Sequence, residues 1–178
     1  MNEQNNTGKS LMNVAHYNRR SLLLAAGGAG AALILPPLGG LSPAGAQTFA
    51  PSESMRGARG NYQPNAPVVE SLGSGFVVSG KVLRAGDGSP LSRVRIQIWA
   101  ATTLGGEHDP VNHGSVITAA DGSYKLSMNP IVPYFGQEHL HMAYDDDAFE
   151  SVFLRPLVPS TTSTSLNVDF ILAPAEAS

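Results

Sequence analysis

The 178-residue chain contains no cysteine. That excludes a disulfide framework, a thiolate metal site and a cysteine nucleophile. Charge is scarce as well: 14% of residues are Asp, Glu, Lys or Arg, and the net charge is −3. Such a chain offers no basic surface for nucleic acid. Aromatic residues are few, there is no capped apolar segment of helical period, and no internal repeat is visible. The apolar run Leu22–Leu35 is shorter than the about 20 residues needed to span a bilayer and ends at two prolines. Serine is plentiful, yet none sits in a G-x-S-x-G elbow. Chemistry must therefore come from His, Tyr, Asp and Glu.

The amino terminus carries an address. Arg19-Arg20 stands directly before an uncharged Ala- and Gly-diluted run from Leu22 to Leu35, which Pro36-Pro37 ends. Ala44-Gly45-Ala46 then supplies small residues suited to cleavage before Gln47. Residues 1–46 thus read as a signal peptide of the twin-arginine type. The expected location is periplasmic or extracellular, the expected partner is the twin-arginine export machinery, and no stable membrane anchor should remain after cleavage. The removed segment holds Glu3 against Lys9, Arg19 and Arg20, so the remainder, from −3 overall, is left at −5.

Residues 47–74 are polar, broken by Pro and Gly and without sustained periodicity, which predicts an extended arm or linker. Residues 75–178 carry strand signals at short intervals: Phe76–Arg84, Arg93–Ala101, Ser115–Ala119, Ser123–Met128, Glu138–Tyr144, Glu150–Leu154 and Leu166–Leu172. In the second, Val94, Ile96 and Ile98 alternate with Arg95, Gln97 and Trp99. Asp121-Gly122 is a hairpin signal between the third and fourth. About seven short strands with Gly, Pro and Asp turns predict an all-β sandwich of immunoglobulin or transthyretin-like type.

Glu138-His139-Leu140-His141 is the most informative local pattern. Histidines at i and i+2 on a strand project from one face, so their imidazoles can converge on an ion. Tyr134 lies five residues upstream of His139, behind Asn129-Pro130-Ile131-Val132-Pro133, a stiff loop able to return its phenol to the same point. His108 and His113 share the loop after the Trp99 strand, and either can supply a further ligand. Asp145-Asp146-Asp147 lacks the spaced oxygen ligands of a calcium loop and reads as a solvated turn. Glu107 and Glu138 make a poor carboxylate pair for glycosidase chemistry, since nothing sets their separation. Arg155 reads as an exposed strand-end residue, with a reach to the site from the adjacent strand as the alternative.

Several of these segments stand in a known order. Ser79-Gly80-Lys81-Val82, Gly88-Ser89-Pro90-Leu91 and Val94-Arg95-Ile96-Gln97-Ile98-Trp99 are followed by Thr118-Ala119-Ala120-Asp121-Gly122-Ser123-Tyr124, Pro133-Tyr134 and His139-Leu140-His141. Together they resemble the intradiol ring-cleavage dioxygenases over about 80 residues, fading after Arg155. The Gly, Pro and Asp-Gly elements recur in transthyretin-like sandwiches. Trp99, Pro133-Tyr134 and the H-x-H pair are the more specific part. The resemblance implies a non-haem ferric iron held by Tyr134, His139 and His141. A first tyrosine ligand is replaced here by His108. It also implies a catecholic aromatic diol and O2 as substrates, with Tyr134 leaving the metal to act as base. The family's arginine before H-x-H, in R-P-A-H-x-H, is missing from Gly136-Gln137-Glu138-His139. Neutral imidazole in place of tyrosinate lowers the anionic charge and favours a divalent ion. Two functions are therefore expected: an exported intradiol-type dioxygenase, or a non-catalytic extracytoplasmic sandwich that binds copper, zinc or iron or serves in interaction.

Overall fold

The computed structural model describes residues 48–175, so the signal peptide read from residues 1–46 lies outside the described residues. Nine strands follow: β1 Ser71–Leu72, β2 Phe76–Arg84, β3 Arg95–Trp99, β4 His113–Ile117, β5 Ser123–Met128, β6 His141–Tyr144, β7 Val152–Leu154, β8 Ser165–Asn167 and β9 Phe170–Leu172. The one helical element among the described residues is a 3-10 turn at Pro110–Asn112. One sheet runs β1-β5-β2-β8, with β9 also paired to β2, and the other runs β4-β3-β6-β7. The expected β-sandwich is the observed one.

Alternation builds the layer between the sheets. Phe76, Val78 and Val82 of β2, Tyr124, Leu126 and Met128 of β5, Ile96 and Ile98 of β3, and Met142 and Tyr144 of β6 are all buried in one cluster. Val, Ile and aromatic side chains on a period of two bury one face of each strand, which drives sheets to pack face to face.

Two connections depart from expectation. The Asp121-Gly122 turn is tight, with Gly122 at φ +75° and Asp121 accepting from the Ser123 hydroxyl at 2.6 Å. Yet it joins no hairpin, because β4 pairs with β3 while β5 pairs with β2. The turn carries the chain from one sheet to the other. The last predicted strand is split into β8 and β9, both parallel to β2. Between them the Val168 carbonyl bends over Gly80, where any side chain would collide with it, and accepts the Tyr124 hydroxyl at 2.5 Å.

The arm docks along its length. Ser52 N–H donates to the Ile171 carbonyl at 2.8 Å, Met55 N–H to Phe153 at 2.8 Å, and Val69 N–H to Ser115 at 3.0 Å. It thus crosses the outer face of the second sheet from β7 to β4. Ala58, Trp99, Ala143 and Phe153 form a second small core there, with Tyr62 packed against it. This cover explains why all four residues of β6 are buried, although strands exposed on one face would alternate.

Candidate metal centre

His139 and His141 are positioned by strand geometry. His139 bridges Leu157, and Leu140 N–H donates to the Pro156 carbonyl at 3.0 Å, extending the pairing beyond β6. Leu140 and Met142 enter the main core, so His139 and His141 must face outward beneath the arm. In register across the sheet, Trp99 lies between His113 and His141. Its indole is nearly parallel to both imidazoles, with centroids 5.7 and 5.2 Å away.

The loop from β3 to β4 adds a carboxylate. Asn112 braces it, its side-chain amide donating to the carbonyls of Gly105 at 3.0 Å and Gly106 at 2.9 Å. Asp109 accepts the Gly106 N–H at 2.6 Å. His113 Nε2 donates to the Glu107 carbonyl at 2.6 Å, a direction fixed because a carbonyl can only accept. This frame turns the Glu107 side chain inward, where it is 6% exposed.

The three side chains converge as acceptors. His139 Nδ1–H donates to the Gln137 carbonyl at 2.7 Å, and His141 Nδ1–H to the Ala58 carbonyl at 2.8 Å. Each neutral ring therefore directs a lone pair from Nε2. His139 Nε2 stands 2.7 Å from Glu107 Oε1, and His141 Nε2 stands 3.3 Å from Oε2. Both imidazoles are 2% exposed, and Glu107 Oε1 and His141 Nε2 lack hydrogen-bond partners. Acceptors packed this closely away from water need a proton or a cation among them. The ligand atoms lie within 4.8 Å of one another. Backbone carbonyls that fix the far nitrogen of each ring are the usual outer partners of metal-binding histidines. The residues thus fit a metal ion, as a two-histidine, one-carboxylate set.

Burial keeps the His141 ring available. Burial pushes the His141 pKa below its ordinary value of 6.5, and the Arg155 guanidinium adds to the depression. Burial likewise pushes His113 down from 6.5. In the unfolded chain both histidines take protons near 6.5, whereas the fold resists charging them. The unfolded state then binds more protons, so stability falls as pH drops below 6.5 and levels above it. Urea unfolding of the metal-free protein from about pH 8 to about pH 5 should show this loss; stability that rises on acidification contradicts it.

No family model and no curated protein matches this chain. Solved structures do. Chlorocatechol 1,2-dioxygenase from Pseudomonas putida is 20% identical with a TM-score of 0.50, over 71% of this chain and 73% of that one. The dioxygenase domain of a dioxygenase carbohydrate-binding fusion from Streptomyces sp. SirexAA-E is 19% identical, with a TM-score of 0.52 over 71% and 99%. 3-Chlorocatechol 1,2-dioxygenase from Rhodococcus opacus 1CP is 16% identical, with a TM-score of 0.55 over 73% and 75%. The fold is intradiol-dioxygenase-like.

On this dioxygenase-like sandwich the sequence-derived ligand positions shift. His139 and His141 meet as the strand pattern requires. His108 does not join them: its side chain is 64% exposed and its Nε2 lies 3.3 Å from Asp109. Its neighbour Glu107 occupies the inward position instead. His113, the alternative loop ligand, braces the Glu107 backbone. Tyr134 is half-buried, its hydroxyl 3.5 Å from His108 Nδ1 and its ring against Phe135. Arg155, expected as an exposed strand end, is half-buried with a guanidinium nitrogen 3.5 Å from His139 Nδ1. That nitrogen already donates to Gln137, so the contact is a neighbouring charge and no hydrogen bond. Asp145 and Asp146 serve structure, accepting Tyr62 at 3.0 Å and pairing Arg95 at 2.9 Å. The available signal for Glu107 was an acidic residue adjoining the presumed ligand in Gly105-Gly106-Glu107-His108.

Proposed function

We propose that the chain is an exported, non-haem metal-dependent oxygenase of intradiol type, acting on a small aromatic diol with O2. Glu107, His139 and His141 are the ligands, and divalent iron is the first choice ahead of copper or zinc. The observation that carries this reading is the convergence of three buried acceptor groups, two of them tautomer-locked by carbonyls. Two imidazoles and one carboxylate are the donor set of non-haem iron(II) oxygenases. With a carboxylate and no buried tyrosinate, the loaded protein lacks tyrosinate-to-iron colour.

When bound, such a metal supplies Lewis acidity and open positions for substrate. The chain's own groups do the rest. His139 and His141 are held by Gln137 and Ala58, so they ligate without reorienting. Glu107 provides the anionic charge. Burial, with a smaller contribution from Arg155, disfavours protonation of His141 and leaves its lone pair free. Tyr134 and His108 stand side by side, which supports Tyr134 as the group that accepts a diol proton while its own hydroxyl proton passes to His108 Nδ1. The Arg19-Arg20 segment supports export.

A second reading, a metal-binding sandwich without turnover, is favoured by the near-complete burial of the donor atoms under the arm. Oxygen uptake with a panel of catechols after anaerobic ferrous loading separates the two. The oxygenase reading expects uptake that His139→Ala abolishes together with the metal. Tyr134→Phe should abolish uptake while metal stays bound, and His108→Ala should leave metal content unchanged. A silent panel with metal retained establishes the second reading. Metal lost in Tyr134→Phe or His108→Ala overturns the ligand set.

A further inference from the structure

We propose that the Ala58–Asn61 turn of the arm is a wall of the metal centre, with Asn61 as a positioning residue for Glu107, so that arm docking and metal binding are coupled. This rests on the metal centre proposed above. Three of these four consecutive residues each reach a member of the site. The Ala58 carbonyl accepts His141 Nδ1–H at 2.8 Å, the Gly60 carbonyl accepts the Trp99 indole N–H at 2.9 Å, and Asn61 Nδ2 donates to Glu107 Oε2 at 3.1 Å.

The turn is shaped for this contact. Asn61 has φ +57°, a left-handed conformation that Asn adopts far more readily than most residues. Backbone bonds from Ala58 N–H to Met55, Gly60 N–H to Gly57 and Tyr62 N–H to Arg59 wind the segment tightly. A side chain at Gly60 would crowd the Gly57 carbonyl at 3.3 Å and meet His141 Cε1 in van der Waals contact at 3.5 Å, so the backbone lies against the imidazole. Arg59 anchors the turn, its guanidinium 4.0 Å from the Phe153 ring centroid.

The amide of Asn61 occupies one carboxylate oxygen and leaves Oε1 facing His139 without a partner. Glu107 is thereby oriented to ligate through a single oxygen. Because the arm contacts two ligands, a metal that fixes those ligands must favour the docked arm. By linkage the docked arm must raise metal affinity by the same factor. Exchange of the metal then requires the arm to lift.

Asn61→Gly is the informative variant, since glycine accepts the same backbone conformation and only the amide is removed. The full chain and the variant are titrated with Zn2+ alone against a chromophoric chelator. Hydrogen exchange of residues 55–62 is followed with and without Zn2+. Expected are slower exchange of the arm amides when Zn2+ binds the natural chain, and binding about 10- to 100-fold weaker in Asn61→Gly, as for other outer partners of ligands. The variant should also lose a matching part of the protection. Equal affinity in both proteins, or arm exchange indifferent to bound Zn2+, overturns the coupling while leaving the metal centre standing. Failure of the natural chain to bind Zn2+ at all overturns the centre itself, and the coupling with it.

Discussion

Glu107→Gln is expected to remove tight metal binding and, at the same time, to stabilise the metal-free fold. The amide keeps the shape of the carboxylate but lacks its charge. Loss of an anionic ligand should cost more than the about 10- to 100-fold typical of an outer partner. In the metal-free protein, an NH2 group at the Oε1 position donates to the His139 lone pair 2.7 Å away. The other position still accepts Asn61. Satisfying a buried unpaired group is worth about 1–3 kcal/mol, a rise of several degrees in Tm for a domain of this size. Calorimetry in chelator and a competition titration read the two effects. If Glu107 and His139 instead form a plain structural ion pair, breaking it costs about 3–5 kcal/mol, and a variant that melts earlier without metal contradicts the account.

Trp99→Ala should have the largest effect on stability. The indole is almost wholly buried, lines up with His113 and His141, packs against Ala58, Ala143 and Phe153, and donates to Gly60. Truncating a buried Trp typically costs about 3–5 kcal/mol. It should also free the His141 ring and undock the turn above it, so metal affinity falls with stability. Trp99→Phe keeps most of the apolar area and loses the hydrogen bond, for a cost nearer 1 kcal/mol, on the order of one hydrogen bond. Denaturant unfolding of both variants gives the comparison. A Trp99→Ala protein as stable as the natural chain would mean that the arm face is no core.

What the sequence made legible depended on periodicity. β2 and β5 run over Phe76–Arg84 and Ser123–Met128 as their strand signals predict, and one face of each enters the core. The same period of two put His139 and His141 on one side. Periodicity says nothing inside a loop, where neighbours such as Glu107 and His108 point apart. The inward residue is chosen there by distant partners, Asn112, His113 and Asn61. The docking of the arm was illegible for a related reason: it is made through carbonyls and single side chains, which leave no hydrophobic pattern. Turn chemistry read Asp121-Gly122 as a turn, but which strands it joins is decided by pairing with β2 and β3. The break between β8 and β9 follows from Gly80, some 90 residues earlier, admitting the Val168 carbonyl.

The most direct test of the Glu107–His139–His141 centre is an anomalous-diffraction map of crystals of the full chain grown with Zn2+. The account predicts one strong peak at about 2.0–2.2 Å from a Glu107 oxygen and from Nε2 of both histidines, with His108 and Tyr134 outside the first coordination sphere. A peak on His108 and Tyr134, or Zn2+ in the crystal with none at the triad, contradicts it.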